Sequence, residues 1–382
     1  MNPTKICMIA TRHLPGDPRI FEKEAKSLSK AGYEVDIVIP AGKKPNETSG
    51  IQFLLFEKAP KPFRKISTIW KSYQKSKHSN ADIYHCHEID VSLFNGFLLK
   101  TINKNRNVKL IFDCHEFWIG HFSERIPKIL RGFFEFLFRK YEKFILKRCD
   151  YLITANTIER SYYQIMFPVK PISVIYNVPH LKPNEKKLKE TKIYDLCFEG
   201  FLCFERGMEQ LFQITKEFCE QIEDFRLLIL GEVNEGVDRD WAFSYIQENG
   251  LQSRIIFSGW QPYEKLYSFH IRSKIGIYLY HYTPTNLLSG PPNKLFNFMK
   301  AGIPLIASNL PETANILTEV GCGIIVDPFN LPQVKNAISR LLMNPEEGKE
   351  MGKRALDAYK NKFNWECEEK KLLKIYKNLT AT

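Results

Sequence analysis

The stretch at residues 289–308, SGPPNKLFNFMKAGIPLIAS, predicts a turn, a short helix and a buried strand in succession. The Gly-Pro-Pro turn is followed by Asn293, a residue type that caps helices, and Gly302 can end a helix over 294–301. A helix that begins after such a turn directs free N–H groups and a positive dipole end forward, which suits a phosphate group. The stretch indicates α/β architecture but not function, because many α/β proteins contain such a turn.

The length and composition indicate a globular protein of two domains. The chain has 382 residues, of which 44% are hydrophobic, and this is too long for one ordinary core. No segment has the apolar length of a membrane span, and the N-terminus runs into a strand without a signal-peptide cleavage site. The nine cysteines are scattered without a C-x-x-C pair, so we expect reduced core cysteines and a cytoplasmic location.

Positive charge is concentrated in the first half of the chain. Residues 1–182 contain 30 Lys and Arg against 17 Asp and Glu, whereas the remaining residues contain 25 against 26. The first half therefore carries the whole excess that makes up the net charge of +12. Such asymmetry favours an anionic partner, either nucleic acid or a membrane surface, over a solvated basic face without a partner.

A basic helix predicted over 125–148 bears on this choice. Eight residues at helical spacing predict an inward apolar stripe: Leu130, Phe133, Phe134, Leu137, Phe138, Tyr141, Phe144 and Ile145. The opposite face carries an aromatic residue among cations: Phe136, Arg139, Lys140, Lys143 and Lys147. This face suits a helix that rests on an anionic bilayer, and it equally fits a solvated surface with one stray aromatic. Aromatics interleaved with basic residues are not visible, so we expect no nucleic-acid partner.

The first half opens as a βαβ unit of the length found in doubly wound sheets. A strand at 5–10, a helix at 19–31 and a strand at 33–40 follow one another. Five further strands are predicted: 51–56, 82–87, 108–113, 151–155 and 172–176. The loop after the first strand contains His13 and a single glycine, Gly16, so the G-x-G-x-x-G fingerprint is absent and a nicotinamide cofactor is disfavoured.

Polar residues follow two of these strands, at the sheet edge where α/β proteins bind ligands. His85, His87 and Glu88 end one strand, and His115 and Glu116 follow the other. His85 and His87 share a strand face and could bind a metal with His115, but the spacing is not typical of a zinc site and we expect no metal. Either one histidine contacts a reacting substrate, or each satisfies a strand-end hydrogen bond.

A polar segment at 182–192, KPNEKKLKETK, predicts a linker to a second α/β unit. In that unit the loop 200–207, GFLCFERG, and the turn at 289–297 both join a strand to a helix, so they should share one sheet edge. Arg206 in the loop and Lys294 in the turn would then form a cationic cradle for a diphosphate. The alternative is two ordinary helix caps.

Five motifs are distributed along the chain: D-P-R-I-x-x-x-E-A-x-x-L at 17–28, D-x-H-E at 113–116, I-Y-N at 175–177, R-G at 206–207 and P-N-K-L-F-N-F-M-K-A-G-I-P at 292–304. Together they resemble the retaining glycosyltransferases of family 4, over nearly the whole chain. The resemblance implies the α/β GT-B fold, with two Rossmann-like doubly wound domains facing across a cleft. It implies an acceptor-binding domain at 1–182, a nucleotide-sugar-binding domain at 183–362, and a terminal helix at 363–382 that crosses back to the first.

By position, the resemblance implies a nucleotide diphosphate sugar as co-substrate, with no separate cofactor. His115 matches the histidine beside the transferred sugar. Arg206 with Gly207 matches the basic residue–glycine pair that contacts the donor diphosphate, which the backbone at Gly290 would also face. The other donor-binding residues implied are Ser289, Asn293, Lys294 and Asn297. The acceptor side, for a glycan or lipid-linked acceptor, would include His13, Gly16 and His87.

Three positions depart from the family pattern. Ser289 and Asn297 occupy the places of the two glutamates of the E-x7-E motif, and Phe201 stands where an arginine often follows the glycine. Asn297 can hydrogen-bond a ribose hydroxyl, but more weakly than a carboxylate. We predict a retaining, metal-independent hexosyltransferase-type enzyme of bacterial capsule or lipopolysaccharide assembly, peripheral on the inner membrane face. The alternatives are a degenerate pseudoenzyme or scaffold subunit and a sugar-nucleotide epimerase.

Overall fold

The computed structural model describes residues 3–60, 63–115, 118–123, 126–181 and 190–381. The chain divides into two compact units, one of Met1–Asn177 with Trp365–Thr382 and one of Val178–Asn364. These divisions lie near the boundaries expected at 182/183 and 362/363. Most of the expected linker, 182–189, lies outside the described residues, as does Glu116.

The first unit is built on a seven-stranded parallel sheet. Its strands are β1 (Lys5–Ile9), β2 (Glu34–Pro40), β3 (Gln52–Phe56), β4 (Ile83–Cys86), β5 (Lys109–Cys114), β6 (Tyr151–Thr154) and β7 (Ile172–Val174). Their order is β3-β2-β1-β4-β5-β6-β7, with every neighbouring pair parallel. The direction of strand addition reverses beside β1, which defines a doubly wound sheet and places its ligand crevice at the ends of β1 and β4.

Helices pack against both faces of this sheet. They are α1 (Lys26–Lys30), α2 (Arg64–Ser79), α3 (Val91–Ile102), α4 (Trp118–Ser123), α5 (Lys128–Leu146) and α6 (Thr157–Met166). Successive residues of β1 enter different apolar clusters, Cys7 and Ile9 on one side and Ile6 and Met8 on the other. This alternation follows from the two-residue period of a strand, and it requires apolar side chains at every position of a strand that is covered on both faces.

The helix predicted over 19–31 begins as a π-helical turn, Ile20–Ala25, before it continues as α1. The Glu24 N–H donates to the Arg19 carbonyl at 2.9 Å, a bond across five residues that defines this wider turn. The turn also brings the Arg19 Nε within 2.9 Å of Glu24 Oε1. The apolar spacing of the sequence does not distinguish this turn from an α-helix, and the wider turn places both charged side chains inside the unit.

The helix predicted over 125–148 corresponds to α5, which spans Lys128–Leu146, and its inward stripe was predicted wrongly in part. Four members of the stripe are exposed: Leu130, Phe133, Leu137 and Phe144. The side that is buried is narrow and includes Phe138, Ile145 and a carboxylate, Glu142. Glu142 accepts hydrogen bonds from the hydroxyls of Tyr162 and Tyr163 at 2.8 and 3.0 Å, so the helix packs partly through polar contacts.

In the part of the chain that the structure describes, no helix combines the length and apolar character needed to cross a bilayer.

The second unit contains a six-stranded parallel sheet. Its strands are β8 (Tyr194–Glu199), β9 (Leu227–Leu230), β10 (Ile255–Phe257), β11 (Ser273–Tyr278), β12 (Leu305–Ser308) and β13 (Gly323–Val326), in the order β10-β9-β8-β11-β12-β13. The helices are α7 (Met208–Gln221), α8 (Val237–Glu248), α9 (Tyr263–His270), α10 (Pro284–Leu288), α11 (Asn293–Ala301), α12 (Pro311–Val320), α13 (Leu331–Met343) and α14 (Pro345–Asn361). The strand order reverses between β8 and β11, so the crevice of this sheet lies at their carboxyl ends.

The last helix, α15 (Trp365–Thr380), packs within the first unit. Its apolar face is buried through Trp365, Leu372, Ile375 and Tyr376. The Trp365 indole N–H donates to Ser27 Oγ at 3.0 Å, and the Tyr376 hydroxyl lies 2.7 Å from His85 Nδ1. A segment more than 180 residues distant in sequence therefore completes the core beside β4.

Candidate active site

The carboxyl ends of β1, β4 and β5 bring together a buried group of charged side chains in the first unit. Arg19 donates through Nη2 to both oxygens of Asp113, at 3.0 and 3.1 Å, and through Nη1 to the Ile175 carbonyl at 3.0 Å. Burial alone would raise the pKa of Asp113, but the charges of Arg19 and His115 hold it well below the usual range. Asp113 is therefore an anion at neutral pH.

His115 is the exposed end of a row of three imidazole rings. Its Nε2 lies 3.0 Å from Asp113 Oδ2 and 3.2 Å from His87 Nδ1. The His87 ring stacks on His85 with centroids 4.4 Å apart, as two positions on one strand face predict. The His115 side chain is 15% exposed, whereas the side chains of His85 and His87 are 0% exposed. Asp113 can hold the His115 proton on Nε2, which leaves Nδ1 as the nitrogen that can face a ligand.

The other two histidines of the row are structural supports of His115. Burial lowers the pKa of His85 and of His87, so both rings are neutral at neutral pH. His85 follows the second of the two alternatives given for these histidines, because it makes a strand-end hydrogen bond, with the Tyr376 hydroxyl as its partner. His87 was expected on the acceptor side, but it is fully buried, and its Nδ1 lies 3.2 Å from Nε2 of the more exposed His115.

The loop after β1 lies beside His115. The His13 ring is 5.8 Å from the His115 ring, and its Nδ1 is 2.9 Å from Asp17 Oδ2. Gly16 has φ +88°, a conformation that favours glycine. Glu88, fully buried, accepts from the backbone N–H groups of Thr11 and Arg12 at 3.1 and 3.0 Å and so fixes the start of this loop.

Glu24, His85, His87 and Asp113 each place one potential ligand atom within 4.8 Å of the others. Arg19 stands in the same cluster, bonded to Asp113 and 2.9 Å from Glu24. Its guanidinium supplies the positive charge that a metal ion would supply to the Asp113 carboxylate, and its presence would repel a divalent cation. The residues present therefore fit an arginine-centred ion-pair network better than a metal site.

Glu159 is a buried acid at the start of α6. Asn156 caps the helix by accepting from the Glu159 N–H at 2.8 Å, and Glu159 Oε2 accepts from the Ala155 N–H at 3.1 Å. Burial raises the pKa of Glu159 from 4.5 to about 8. The native state therefore holds a proton on this group that the unfolded chain releases, and the difference lowers stability as the pH rises between these two values.

Glu159→Gln removes this titration and keeps the side-chain shape. We expect the free energy of unfolding of the variant to rise relative to the wild type by up to about 1.4 kcal/mol per pH unit from pH 5 to 8. Above pH 8 the difference should stay constant. Urea unfolding at pH 5 to 9 measures it, with the exposed Glu264→Gln as the control that should show no trend. If the difference in unfolding free energy between Glu159→Gln and the wild type did not change with pH, the buried carboxyl group would not be protonated as described.

The second unit presents the start of α11 at the crevice of its sheet. The helix begins at Asn293, one residue earlier than predicted, and Pro292 rather than Asn293 stands in the capping position. Pro292 has φ −64° and ψ 143°, which ends the preceding extended turn, and no side chain caps the first N–H groups of the helix. The prediction that Asn293 caps this helix was wrong. Ser289 follows the short helix α10, and Ser289 and Gly290 are half-buried.

Lys294, in the first turn of α11, is a buried cation. It is only 5% exposed, and its Nζ has no hydrogen-bond partner among the described residues. The Nζ lies 3.9 Å from the Phe198 ring centroid and 4.9 Å from that of Tyr280. A buried ammonium without a hydrogen-bonding acceptor is costly, and aromatic faces offset only part of this cost. The site therefore favours an anionic ligand.

Arg206 lies on the same side of the crevice. Its guanidinium is 5.4 Å from the Tyr280 ring centroid, so both predicted cations flank one aromatic ring. Its Nη1 donates to the Phe201 carbonyl at 3.0 Å. Gly207, which follows, has φ +80°, and a Cβ there would lie 2.3 Å from the Leu279 carbonyl oxygen. Only glycine fits this position, and it lets the loop that carries Arg206 approach β11.

Two residues of this crevice, Glu199 and His270, were not identified from the sequence. Glu199, the last residue of β8, accepts from Asn297 Nδ2 at 2.8 Å, and its Oε2 lies 2.9 Å from His270 Nε2. Burial alone would raise the pKa of Glu199, but His270, Lys294 and Asn297 hold it below its ordinary value. A carboxylate directly after the apolar residues 196–198 at the end of β8 was the available signal, because such ends point at the ligand edge of a parallel sheet.

Comparisons with known proteins agree with this arrangement. The family model described as "Glycosyltransferase Family 4" matches residues 19–178, and the model described as "Glycosyl transferases group 1" matches residues 182–357. An uncharacterized glycosyltransferase of Haemophilus influenzae is 23% identical over 340 residues, which cover 87% of this chain and 88% of the relative.

Solved structures show the same fold at low identity. HepE of Anabaena, in complex with UDP-glucose, has a TM-score of 0.72 at 13% identity, covering 98% of this chain and 99% of its own. WaaG, a glycosyltransferase involved in lipopolysaccharide biosynthesis, has a TM-score of 0.69 at 12% identity, covering 96% and 98%. With its two Rossmann-like sheets the chain has the GT-B fold. It belongs to the family 4 and group 1 glycosyltransferases, with the family 4 region in its first unit and the group 1 region in its second.

Proposed function

We propose that the chain transfers a sugar from a nucleoside diphosphate sugar to a hydroxyl acceptor with retention at the anomeric carbon. The observation that carries the proposal is Lys294, a buried ammonium at the start of α11 without a hydrogen-bond partner among the described residues. A diphosphate would supply the missing acceptors. The complexes of HepE with UDP and UDP-glucose support a nucleotide ligand for this fold.

The leaving diphosphate gains negative charge as the bond to the sugar breaks. Arg206, Lys294 and the backbone N–H groups near Gly290 and Asn293 would stabilise that charge, and fixed cations in a partly dry site contribute much more than they would in water. We propose that these groups act without a metal and that the donor is a co-substrate, with no further cofactor. Gly207 and Ser289 would contact the donor through the loops that carry them.

His115 is the proposed catalytic residue of the first unit. With Asp113 Oδ2 3.0 Å from its Nε2, the His115 ring has a fixed orientation. It would hydrogen-bond the transferred sugar or the acceptor hydroxyl, with His13 and Gly16 lining the acceptor side. Asp113, the carboxylate next to His115, is fully buried and paired with Arg19, so it is not placed to act as a covalent nucleophile. This suits a transfer in which the departing phosphate assists the acceptor.

The test is a transfer assay. The purified chain is incubated with UDP-, GDP- and ADP-sugars and a bacterial membrane extract, and the nucleoside diphosphate released and the glycolipid formed are measured by mass spectrometry. The proposal predicts diphosphate release that depends on the extract, with an α-linked product from an α-linked donor, and no inhibition by EDTA. Release of an altered sugar nucleotide without any acceptor would instead indicate an epimerase.

A pseudoenzyme remains the second candidate because Ser289 and Asn297 replace the two motif glutamates. It predicts nucleotide binding without diphosphate release at any acceptor tested. The geometry around Tyr280 favours an enzyme over a pseudoenzyme. Arg206 and Lys294 both lie beside this ring, and a scaffold would not need a buried cation that has no hydrogen-bond acceptor.

We further propose that α5 holds the first unit on the cytoplasmic face of an anionic membrane, where a lipid-linked glycan would be the acceptor. Ile129, Phe133 and Phe136 recur at spacings of four and three residues and are 92%, 66% and 53% exposed. Lys140 lies one turn further along, with Nζ 4.3 Å from the Phe136 ring centroid. Arg139, Lys143 and Lys147 add charge to the exposed side of the helix. An apolar ridge among cations suits the interface of an acidic bilayer.

Substitution of this ridge should weaken membrane binding. The triple variant Ile129→Ser, Phe133→Ser and Phe136→Ser is expected to reduce binding to phosphatidylglycerol-containing vesicles by at least about tenfold, because each buried apolar side chain contributes over 1 kcal/mol. Vesicle co-sedimentation measures it. The matched control is Ile165→Ser with Val169→Ser, two side chains of the same unit that are 84% and 98% exposed. An equal loss of vesicle binding in the triple variant and in the control would contradict a specific contact between α5 and the membrane.

A further inference from the structure

The second unit carries a carboxylate at the crevice of its sheet that no motif assigns. Glu199 ends β8, and β8 pairs with β11 at the point where the strand order reverses. The next residue, Gly200, has φ +107° and begins the loop that carries Arg206. In open α/β sheets this is the place where nucleotides bind, and in dinucleotide-binding sheets an acidic residue at a strand end accepts from a ribose hydroxyl.

Glu199 lies one hydrogen bond from the position where the family usually has a glutamate. Asn297 donates through Nδ2 to Glu199 Oε1 at 2.8 Å. The amide oxygen of Asn297 accepts from the Tyr263 hydroxyl at 3.3 Å. Both ends of the amide are therefore engaged within the protein, and Asn297 is poorly placed to replace a carboxylate by itself. The negative charge that the helix lacks at position 297 is supplied from the adjacent strand.

The surroundings keep Glu199 charged and oriented. The His270 ring, 1% exposed, packs edge-on against Phe298 with centroids 5.0 Å apart, and its Nε2 lies 2.9 Å from Glu199 Oε2. Asn297 holds the other oxygen. The Glu199 side chain is nevertheless 13% exposed, so a ligand can reach it. An ionised acceptor held on two sides is a stronger partner for hydroxyl groups than a neutral amide.

We propose that Glu199 is the ribose-binding carboxylate of the second unit, displaced from position 297 to the end of β8. The inference rests on the proposed function, since it needs a nucleoside diphosphate in the crevice. The Glu199 carboxylate accepts from the ribose hydroxyls while Arg206 and Lys294 hold the diphosphate. Asn297 is then a positioning residue that orients Glu199, and the crevice keeps a carboxylate for the ribose although position 297 has none.

The experiment compares ribose and dideoxyribose ligands by isothermal titration calorimetry. The probes are UDP, GDP, ADP and CDP, each beside its 2′,3′-dideoxy analogue. The proteins are the wild type, Glu199→Gln, and a double variant, Glu199→Val with Asn297→Glu, which moves the carboxylate to the family position. The wild type should prefer the ribose form of its nucleotide by about 10- to 100-fold, as expected for hydrogen bonds to a charged acceptor.

Glu199→Gln should reduce this preference to less than about threefold while binding of the dideoxy form stays unchanged, because the diphosphate contacts remain. The double variant should regain the preference. A wild-type preference that persists in Glu199→Gln overturns the inference but leaves the proposed function standing. If Glu199→Gln binds neither the ribose nor the dideoxyribose nucleotide, the double variant provides the test. The inference is then also overturned if the double variant binds both nucleotides equally well. Failure of all four ribonucleoside diphosphates to bind the wild type overturns the inference, and failure of dTDP as well overturns the proposed function.

Discussion

Lys294→Met is expected to lower kcat/KM for sugar transfer by about 10²- to 10³-fold, the usual effect of removing one donor that stabilises developing negative charge. The reason is the position of its ammonium, which is buried in the first turn of α11 between the rings of Phe198 and Tyr280. Methionine preserves the length and apolar contacts of the side chain and removes only the charge. The loss is measured from initial rates of diphosphate release.

The same substitution should leave the empty protein at least as stable as the wild type. A buried ammonium without a hydrogen-bond acceptor opposes folding, so removing its charge relieves an unfavourable term of about 1–3 kcal/mol, which the aromatic contacts offset in part. Lys265→Met, an exposed lysine of the same unit, is the control and should change neither activity nor stability. A large fall in the thermal midpoint of Lys294→Met would show that the lysine is structural, which contradicts its role toward an anion.

Arg19→Met should lower the free energy of unfolding by about 3–5 kcal/mol, the usual cost of leaving one partner of a buried ion pair uncompensated. Arg19 is 5% exposed and bridges Asp113 and the Ile175 carbonyl, with Glu24 at 2.9 Å. Without the guanidinium the buried Asp113 carboxylate loses its counter-charge. Urea unfolding at pH 7 gives the change, and activity should fall as well because Asp113 orients His115.

A double-mutant cycle isolates the pair. Asp113→Asn removes the charge that Arg19 compensates, so Arg19→Met in that background should cost less than in the wild type, with a coupling energy of at least about 1 kcal/mol. Lys30→Met, an exposed lysine that ends α1, is the control for loss of a positive charge in this region. Additive effects of the two substitutions would mean that the ion pair does not organise the site.

Most of the architecture follows from local sequence. The apolar runs of β1 and β2, the turns that precede α7 and α11, and the polar residues at strand ends predict two doubly wound sheets, as observed. Two glycines at helix ends are identifiable for the same reason. Gly207 precedes α7 and Gly302 ends α11, and their φ values are +80° and +66°. These features depend on residues that are close together in the sequence, so they can be predicted from it.

Features that depend on distant partners were not predictable in this way. The exposed side of α5 shows the limit, because periodicity identifies an amphipathic helix but not the width of the surface available to cover it. Glu199 and Asn297 are 98 positions apart, and only the folded sheet brings them together. Arg19 and Asp113 were visible as motif residues, but they are 94 positions apart and only the folded unit brings them together as an ion pair.

The most direct test of the donor site is thermal unfolding of the purified chain with UDP, GDP, ADP, CDP and dTDP, in the wild type and in Arg206→Ala. A ligand that binds only the native state raises the midpoint with its occupancy. The site at α11 predicts that one diphosphate raises the midpoint of the wild type and that Arg206→Ala reduces or abolishes the shift. Absence of any shift in the wild type, with and without anionic lipid, would contradict a nucleoside diphosphate site in the second unit.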